Sequence, residues 1–321
     1  MDAHEELVWR CANHHREKIG PLSDEAFAEL VLAVRADPAS FVDTASDEAF
    51  LMLAKALDAY HENMHDDDLL DDDQYLAARN KRLAGLQATC ERCAEVDEAC
   101  VDARLVGVLA RDLGPDALLD ELLKLEKAAY PQGRPAASGD LWDDVALRPW
   151  LRLRAAISRT CLDAARCKMA LGYAESVMNA NPTDQLGARF TSAIAYARLE
   201  DEQGFDQLDA RFSRHGNAWS NLARVVLLYK LGRMPAARRA LHGYDELSEG
   251  AAYALLRPTF VELYLPDRPA FKAGGFQESL MAAREAEPTI ADTPDLVRWA
   301  QDQEWFYASA QSYAEGHDLD W

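Results

Sequence analysis

The chain has 321 residues, of which 49% are apolar and 28% charged, as in soluble globular proteins long enough for about two domains. Its longest unbroken apolar runs, Ala49–Ala54 and Ala251–Leu256, have six residues each and are far too short to span a membrane. The net charge is −21, and a surface of this sign repels phosphate backbones and anionic lipids. We therefore expect neither nucleic acid nor a membrane surface as a partner.

The cysteines and the N-terminus bear on the cellular compartment. The first 20 residues have no apolar core of the kind that a secretory signal needs, which predicts a cytoplasmic protein with six reduced thiols. Cys90, Cys93 and Cys100 lie in CERCAEVDEAC, but a C-x2-C pair indicates zinc only when a second pair completes the ligand set. No second pair is present, so we interpret these residues, with Cys161 and Cys167, as buried packing residues.

Helical signals dominate the N-terminal region, residues 1–131. The pentapeptide SDEAF occurs twice, and Ser23 and Ser46 are each predicted to cap the N-terminus of a helix. Each copy is followed by an apolar stripe at helical spacing: Phe27, Leu30, Val31 and Val34, then Phe50, Leu53 and Leu57. Gly114-Pro115-Asp116 predicts a helix end and a new start, with Leu118, Leu119, Leu122 and Leu123 as its stripe.

The stretch HENMHDDDLLDDD, residues 61–73, begins with the H-E-x-x-H pattern of zinc hydrolases. On a helix, His61 and His65 would present two ligands on one face, and Glu62 would activate a metal-bound water. Catalytic helices of this kind are buried, whereas three aspartates follow His65 directly, and no third ligand stands in a recognisable pattern. The aspartates also lack the spacing of a calcium loop. We expect an exposed acidic turn, with a metal-dependent hydrolase as the alternative.

The second half shows the punctuation of a helical repeat. PQGRPAASG marks a linker at 132–140, which separates residues 1–131 from a repeat region at 141–321. Gly204, Gly232 and Gly275 each stand near the junction of two predicted helices. Ala170 and Pro182, twelve residues apart, fit the tetratricopeptide pattern of a small residue at the helix crossing and a proline after the second helix.

No run of alternating, β-branched residues indicates a strand. We predict an all-α fold, an α-solenoid of stacked antiparallel helix pairs with capping helices at the C-terminus. No phosphate-binding loop, dinucleotide fingerprint or nucleophile elbow is present, and no cofactor is expected.

Two segments carry a resemblance to a known family. RPWLRLRAAISRTCLDAARCKMALGYAESVMNANPTDQLGARF is similar to tetratricopeptide-like proteins of bacteria and plants that read RPYxRAR and then LNPNDxQGxRY. YALLRPTFVELYLPDRPAFKAGGFQESL resembles the end of those proteins and of the suppressor of tumorigenicity 7 group. The resemblance spans about residues 147–300, with Trp150, Leu186 and Phe190 replacing the usual Tyr, Gln and Tyr. It implies a protein-binding scaffold and does not specify the ligand.

Two basic segments stand out in this acidic chain. Six basic residues and one acid lie between Arg148 and Lys168, and five basic residues and no acid lie between Leu222 and Ala240. In the tetratricopeptide register, one set of side chains would face a concave groove: Arg152, Arg159, Arg189, Tyr196, Trp219 and Arg224. Arginine forks bind carboxylates, so the groove would suit an acidic peptide or a C-terminal carboxylate.

Other interpretations of these residues remain open. The arginines could instead pair with Asp206, Asp209, Glu246 or Glu249 on adjacent helices and hold the repeats together. Arg148 has a simpler role at the start of its helix, ahead of Pro149. A self-associating structural protein is a further alternative to the peptide-binding scaffold.

Overall fold

The computed structural model describes residues 2–64, 67, 70–133, 139–257 and 265–321. Within these ranges the secondary structure consists of 16 α-helices and short 3-10 turns, without any β-strand. The prediction of an all-α chain is confirmed. No helix among the described residues has the length and apolar character needed to cross a membrane.

Contacts between residues divide the chain into two compact units. Unit 1 comprises Met1–Ile157, Ala180–Leu186 and Leu265–Arg268, and unit 2 comprises Ser158–Asn179, Gly187–Tyr264 and Pro269–Trp321. The division therefore falls inside a helix, whereas the predicted boundary was the linker at 132–140. Residues 134–138 of that linker lie outside the described ranges.

Unit 1 is built from six helices and the start of a seventh: α1 (Ala3–Ile19), α2 (Asp24–Ala36), α3 (Ala45–Glu62), α4 (Asp72–Val96), α5 (Val101–Leu109), α6 (Pro115–Ala129) and α7 (Arg148–Asp163). Helix α1 packs against α2 and α3, and α3, α4 and α5 each pack against the next helix along the chain. The predicted stripe of Phe50, Leu53 and Leu57 is at most 3% exposed and faces this core. Full burial of each such side chain stabilises the fold by about 1.5–3 kcal/mol.

The helix starts in unit 1 were predicted correctly in two of three cases. Ser23 caps α2, and α6 begins at Pro115 after Gly114, as expected. Helix α3 begins earlier than predicted, because Thr44 rather than Ser46 is its N-cap. The Thr44 hydroxyl both accepts from the Asp47 amide and donates to the Asp47 carboxylate, which is fully buried and also bonded to His14. This tertiary pair holds Asp47 in the first turn.

Unit 2 contains the end of α7 and nine further helices: α8 (Cys167–Ala180), α9 (Ala188–Leu199), α10 (Glu202–Arg211), α11 (Ala218–Lys230), α12 (Met234–Leu247), α13 (Ala251–Leu256), α14 (Phe276–Ala291), α15 (Leu296–Gln301) and α16 (Glu304–Gly316). Helices α9 and α10 form one pair, α11 and α12 form the next, and α9 also packs on α11. This packing of neighbouring pairs is the arrangement predicted for an α-solenoid.

Two of the predicted junction glycines have different roles. Gly232, with φ at +69°, forms the turn between α11 and α12, as expected. Gly204 lies inside α10, where a Cβ atom would stand 2.4 Å from Cε1 of Tyr196 on α9. Glycine at this position therefore allows α9 and α10 to approach closely.

Candidate functional site

Arg152, a predicted groove residue, lies in the core of unit 1. Its side chain is 1% exposed, and it donates hydrogen bonds to three carboxylates. The Nε–Asp267 and Nη1–Asp102 distances are 2.9 and 3.1 Å, and Nη2 bonds to Glu6. All three acids are buried. Arg152 is consequently unable to present its guanidinium to a peptide, and the open alternative of a structural ion pair applies to it.

Two further arginines complete this buried charge cluster. Arg10 donates to Glu6 at 2.8 Å and to Asp102 at 3.1 Å, and its guanidinium lies 4.0 Å from the ring centre of Phe50. Arg148, at the start of α7, donates from Nε to the carbonyl oxygen of Trp142 at 2.8 Å. Three arginines thus face three carboxylates, so each charge has partners of the opposite sign.

The two acids that bond to both Arg10 and Arg152, Glu6 and Asp102, have opposite pKa shifts. Burial by itself would raise the pKa of Glu6, but the charges and hydrogen bonds of Arg152 and Arg10 outweigh it and lower the pKa to about 2. Burial also raises the pKa of Asp102, and there the arginines do not fully compensate, partly because Glu6 repels its negative charge. Glu6 therefore stays ionised, and Asp102 holds its charge less firmly.

The remaining groove residues lie in unit 2, where one of them, Arg189, lines a pocket that we call the Arg189 pocket. It has a cavity volume of about 20 Å³ and lies where α9 begins, α10 ends and α11 begins; its walls are Arg189, Phe190, Ala193, Phe205, Leu208, Asp209, Phe212, His215, Asn217 and Ser220. This volume is far below that of small-ligand sites, so the pocket is a shallow recess on the surface of unit 2. Apolar walls with a few polar groups are typical of such sites.

Arg189 is held between aromatic rings at the pocket wall. Its guanidinium carbon lies 5.0 Å from the ring centre of Phe190 and 4.9 Å from that of Phe212. Phe190 in turn stacks on Trp219, with ring centres 4.3 Å apart and planes within 4° of parallel. The contacts with Phe190 and Phe212 fix the direction of the Arg189 guanidinium and stabilise its charge.

Two predicted residues support the pocket from behind. Trp219 is 3% exposed, and its Nε1 donates to Glu285 at 2.7 Å, so it backs Phe190 and offers no free surface of its own. Arg224 lies 4.6 Å from the ring centre of Phe205 and pairs with Asp206 and Asp209 at 3.3 and 3.0 Å. Arg224 therefore forms the ion pairs with Asp206 and Asp209 that were the alternative to a role in the groove.

Arg159 and Tyr196 are not among the residues that line this pocket. Arg159 is half-buried on the part of α7 that belongs to unit 2. Tyr196 is half-buried against Gly204, and burial raises the pKa of its hydroxyl. The sequence analysis did not identify Phe205 and Phe212, although they are seven positions apart in LEDEQGFDQLDARF and two helical turns bring them to one face.

The HENMH pattern is only partly described. Helix α3 ends at Glu62 with Asn63 as its C-cap, so it stops short of His65, and His65 itself lies outside the described residues. Burial lowers the pKa of His61. Asp67 accepts hydrogen bonds from Nη1 and Nη2 of Arg82, at 2.7 and 2.6 Å, and Asp71 caps α4. In the described part of the chain, no three or more His, Cys, Asp or Glu side chains are grouped to hold a metal ion.

The cysteines predicted to be packing residues, Cys90, Cys93, Cys100, Cys161 and Cys167, are all buried, and so is Cys11. All six are free thiols and buried. Burial raises the pKa of Cys100 to about 12 and that of Cys161 to about 11, so both remain protonated and unreactive at neutral pH.

Comparison with known proteins adds no assignment to this geometry. No protein family, no curated protein and no solved structure matches the chain. The resemblance to tetratricopeptide-like proteins stays a prediction.

Proposed function

We propose that the protein is a non-catalytic helical-repeat scaffold that binds a protein or peptide segment at the Arg189 pocket. The observation that carries the proposal is the pocket itself, an aromatic recess with a stacked guanidinium in its wall. An apolar side chain of the ligand would pack on the rim of this aromatic recess, and an adjacent carboxylate would add an ion pair to Arg189. The ligand is therefore an acidic segment or a C-terminal carboxylate.

The pairwise packing of α9 to α12 supports this proposal, since stacked helix pairs offer extended surfaces for segments of other proteins. The resemblance of residues 147–300 to tetratricopeptide-like proteins points the same way. A cytoplasmic location belongs to the same proposal. The net charge of −21 also disfavours nucleic acid and membranes as partners.

Selection from a random peptide library on the full-length protein tests the proposal. We expect the selected peptides to combine an aromatic or aliphatic residue with Asp, Glu or a free C-terminal carboxylate. Calorimetry then measures the affinity of one such peptide for three variants: Arg189→Met, Phe212→Ala and Leu247→Ala. Leu247 is 66% exposed on α12 and is absent from the pocket walls, so its truncation is the matched control.

Arg189→Met and Phe212→Ala should each weaken binding about tenfold or more, while Leu247→Ala leaves it unchanged. The change of the acidic residue to Gln in the peptide should cause the same loss and add nothing to Arg189→Met. Full affinity of the Arg189→Met variant for the acidic peptide would rule out the guanidinium as the recognition group.

A further inference from the structure

Unit 1 contains a second concave site, which the predicted groove does not include. This Asp102 cleft has a volume of about 790 Å³, is open to solvent, and is lined by parts of α1, by the start of α5 and by residues 139–149. Six carboxylates lie in its walls: Glu17, Asp97, Asp102, Asp140, Asp143 and Asp144. The cleft thus concentrates negative charge in a chain that is already acidic.

The positive groups in the same walls are engaged with the protein. Arg10 bonds to Glu6 and Asp102, as described for the charge cluster. Arg16 lies with its guanidinium carbon 4.3 Å from the ring centre of Phe27, and His14 bonds to the buried carboxylate of Asp47. The net field inside the cleft is therefore negative, and it favours a cation.

Asp102 provides a specific hydrogen-bond acceptor for a cationic group in the cleft. Its side chain is 1% exposed, and its Oδ2 accepts from Arg10 and Arg152, both at 3.1 Å. Among the described residues no donor bonds to Oδ1, although this oxygen is buried. A buried carboxylate oxygen without a donor is unfavourable, and a donor from a ligand in the cleft would remove that cost.

The other walls complete a site for a long basic side chain. Trp9, Phe27 and Tyr130 supply aromatic surface, and Asp143 and Asp144 stand exposed at the opening. Asp140 keeps its charge: burial opposes ionisation, but hydrogen bonds from the Trp142 amide, Asn181 and Thr183 lower its pKa. Aliphatic stems of Lys and Arg pack well on aromatic rings, while the charged end seeks a carboxylate.

We propose that the Asp102 cleft binds a protein segment rich in lysine or arginine, with one ammonium or guanidinium group donating a hydrogen bond to Asp102 Oδ1. Asp143 and Asp144 attract further basic residues of the segment at the opening. The ligand has the opposite charge to the one proposed for the Arg189 pocket, and the site lies in the other unit, so either assignment can fail without the other.

The test uses a fluorescein-labelled peptide of alternating lysine and glycine, titrated with the full-length protein and followed by fluorescence anisotropy. The variants are Asp102→Asn, the double change Asp143→Asn with Asp144→Asn, and Asp120→Asn. Asp120 is exposed on α6 and does not line the cleft, so its variant matches the charge change of Asp102→Asn. In Asp102→Asn the amide oxygen should stay with the two arginines, which places an amide donor where Oδ1 was.

We expect Asp102→Asn to weaken binding about tenfold or more, and the double variant about threefold or more. Asp120→Asn should bind as the wild type does. The double variant alters exposed residues, so it keeps the test informative if Asp102→Asn unfolds the protein. Equal losses in the double variant and in Asp120→Asn, or wild-type binding by a folded Asp102→Asn, would overturn the proposal.

A second titration identifies the source of the cation. Free spermine carries the same ammonium groups without a peptide backbone, and it competes with the labelled peptide if it enters the cleft. Weaker competition by spermine than by unlabelled peptide supports a protein segment. Tighter binding of spermine would overturn that part of the assignment.

Discussion

Arg152 shows how the surroundings of one residue decide its role. Its spacing from Arg159 placed it on a basic stripe, and only the fold brings Glu6, Asp102 and Asp267 to its guanidinium from distant parts of the sequence. A buried ion network of this kind adds little net stability as a whole, but the loss of one member leaves the others buried without compensation. Charge reversal at Arg152 would therefore test folding and not peptide binding.

We predict that Arg152→Ala lowers the free energy of unfolding by about 3–5 kcal/mol, because three buried carboxylates lose their central partner. Arg284→Ala is the control: Arg284 pairs with Glu287 on the surface, and both side chains are more than half exposed. That change should stay within about 0.5 kcal/mol. Urea denaturation followed by far-ultraviolet circular dichroism measures both, and equal stabilities of the two variants would contradict the buried network.

Glu6 makes the stability of the same cluster depend on pH. Its pKa falls from 4.5 in the unfolded chain to about 2 in the fold, so ionised Glu6 stabilises the protein above about pH 5. This contribution, about 3 kcal/mol, is lost as the pH falls towards 2. The raised pKa of Asp102 acts in the opposite direction, and replacing Glu6 with a neutral residue removes the part of that rise that Glu6 causes.

We therefore expect Glu6→Gln to be less stable than the wild type at pH 7, and the difference to shrink steadily from about pH 5 to pH 2. Urea titrations at a series of pH values measure it. A difference that stays constant over this range would show that Glu6 is not held ionised by Arg152 and Arg10.

At the scale of the helices, the sequence predicted the helix starts correctly where a local preference alone determines them. Ser23 and Pro115 begin their helices as local preferences require. The start of α3 moved to Thr44 because Asp47 has a tertiary partner, His14, which no local pattern reveals. The walls of the Arg189 pocket were predicted only in part for the same reason. Arg189 was identified by its charge, whereas Phe205 and Phe212 are brought to it by the packing of α10.

The closeness of α9 and α10 at Gly204 gives a prediction at this scale. Gly204→Ala should destabilise the protein by about 1–3 kcal/mol, because the new methyl group would overlap the Tyr196 ring and the Asp201 carboxylate. Gly172 is exposed on α8, and a methyl group added there would meet no other atom within 4 Å. Gly172→Ala should instead stabilise by about 0.5–1 kcal/mol. Thermal unfolding of both variants measures the contrast, and shifts of the same sign would exclude a tight α9–α10 crossing.

At the scale of the whole molecule, the charge of −21 acts on both proposed ligands. It attracts a basic segment to the Asp102 cleft and repels an acidic segment from the Arg189 pocket, and salt screens both effects. A rise from about 0.05 M to about 0.5 M NaCl should therefore weaken binding of the lysine peptide strongly. The same rise should weaken binding of the acidic peptide much less, because screening removes repulsion along with the local attraction of Arg189.

Anisotropy titrations of both peptides across this range of salt concentrations measure the difference. The Asp102→Asn and Arg189→Met variants show which part of each salt dependence belongs to the site. The whole-chain charge is nearly unchanged in either variant, so long-range attraction and repulsion should persist while the affinity falls. If the two peptides lost affinity in parallel, the long-range field of the protein would not distinguish them, and the opposite charge preferences of the two sites would be wrong.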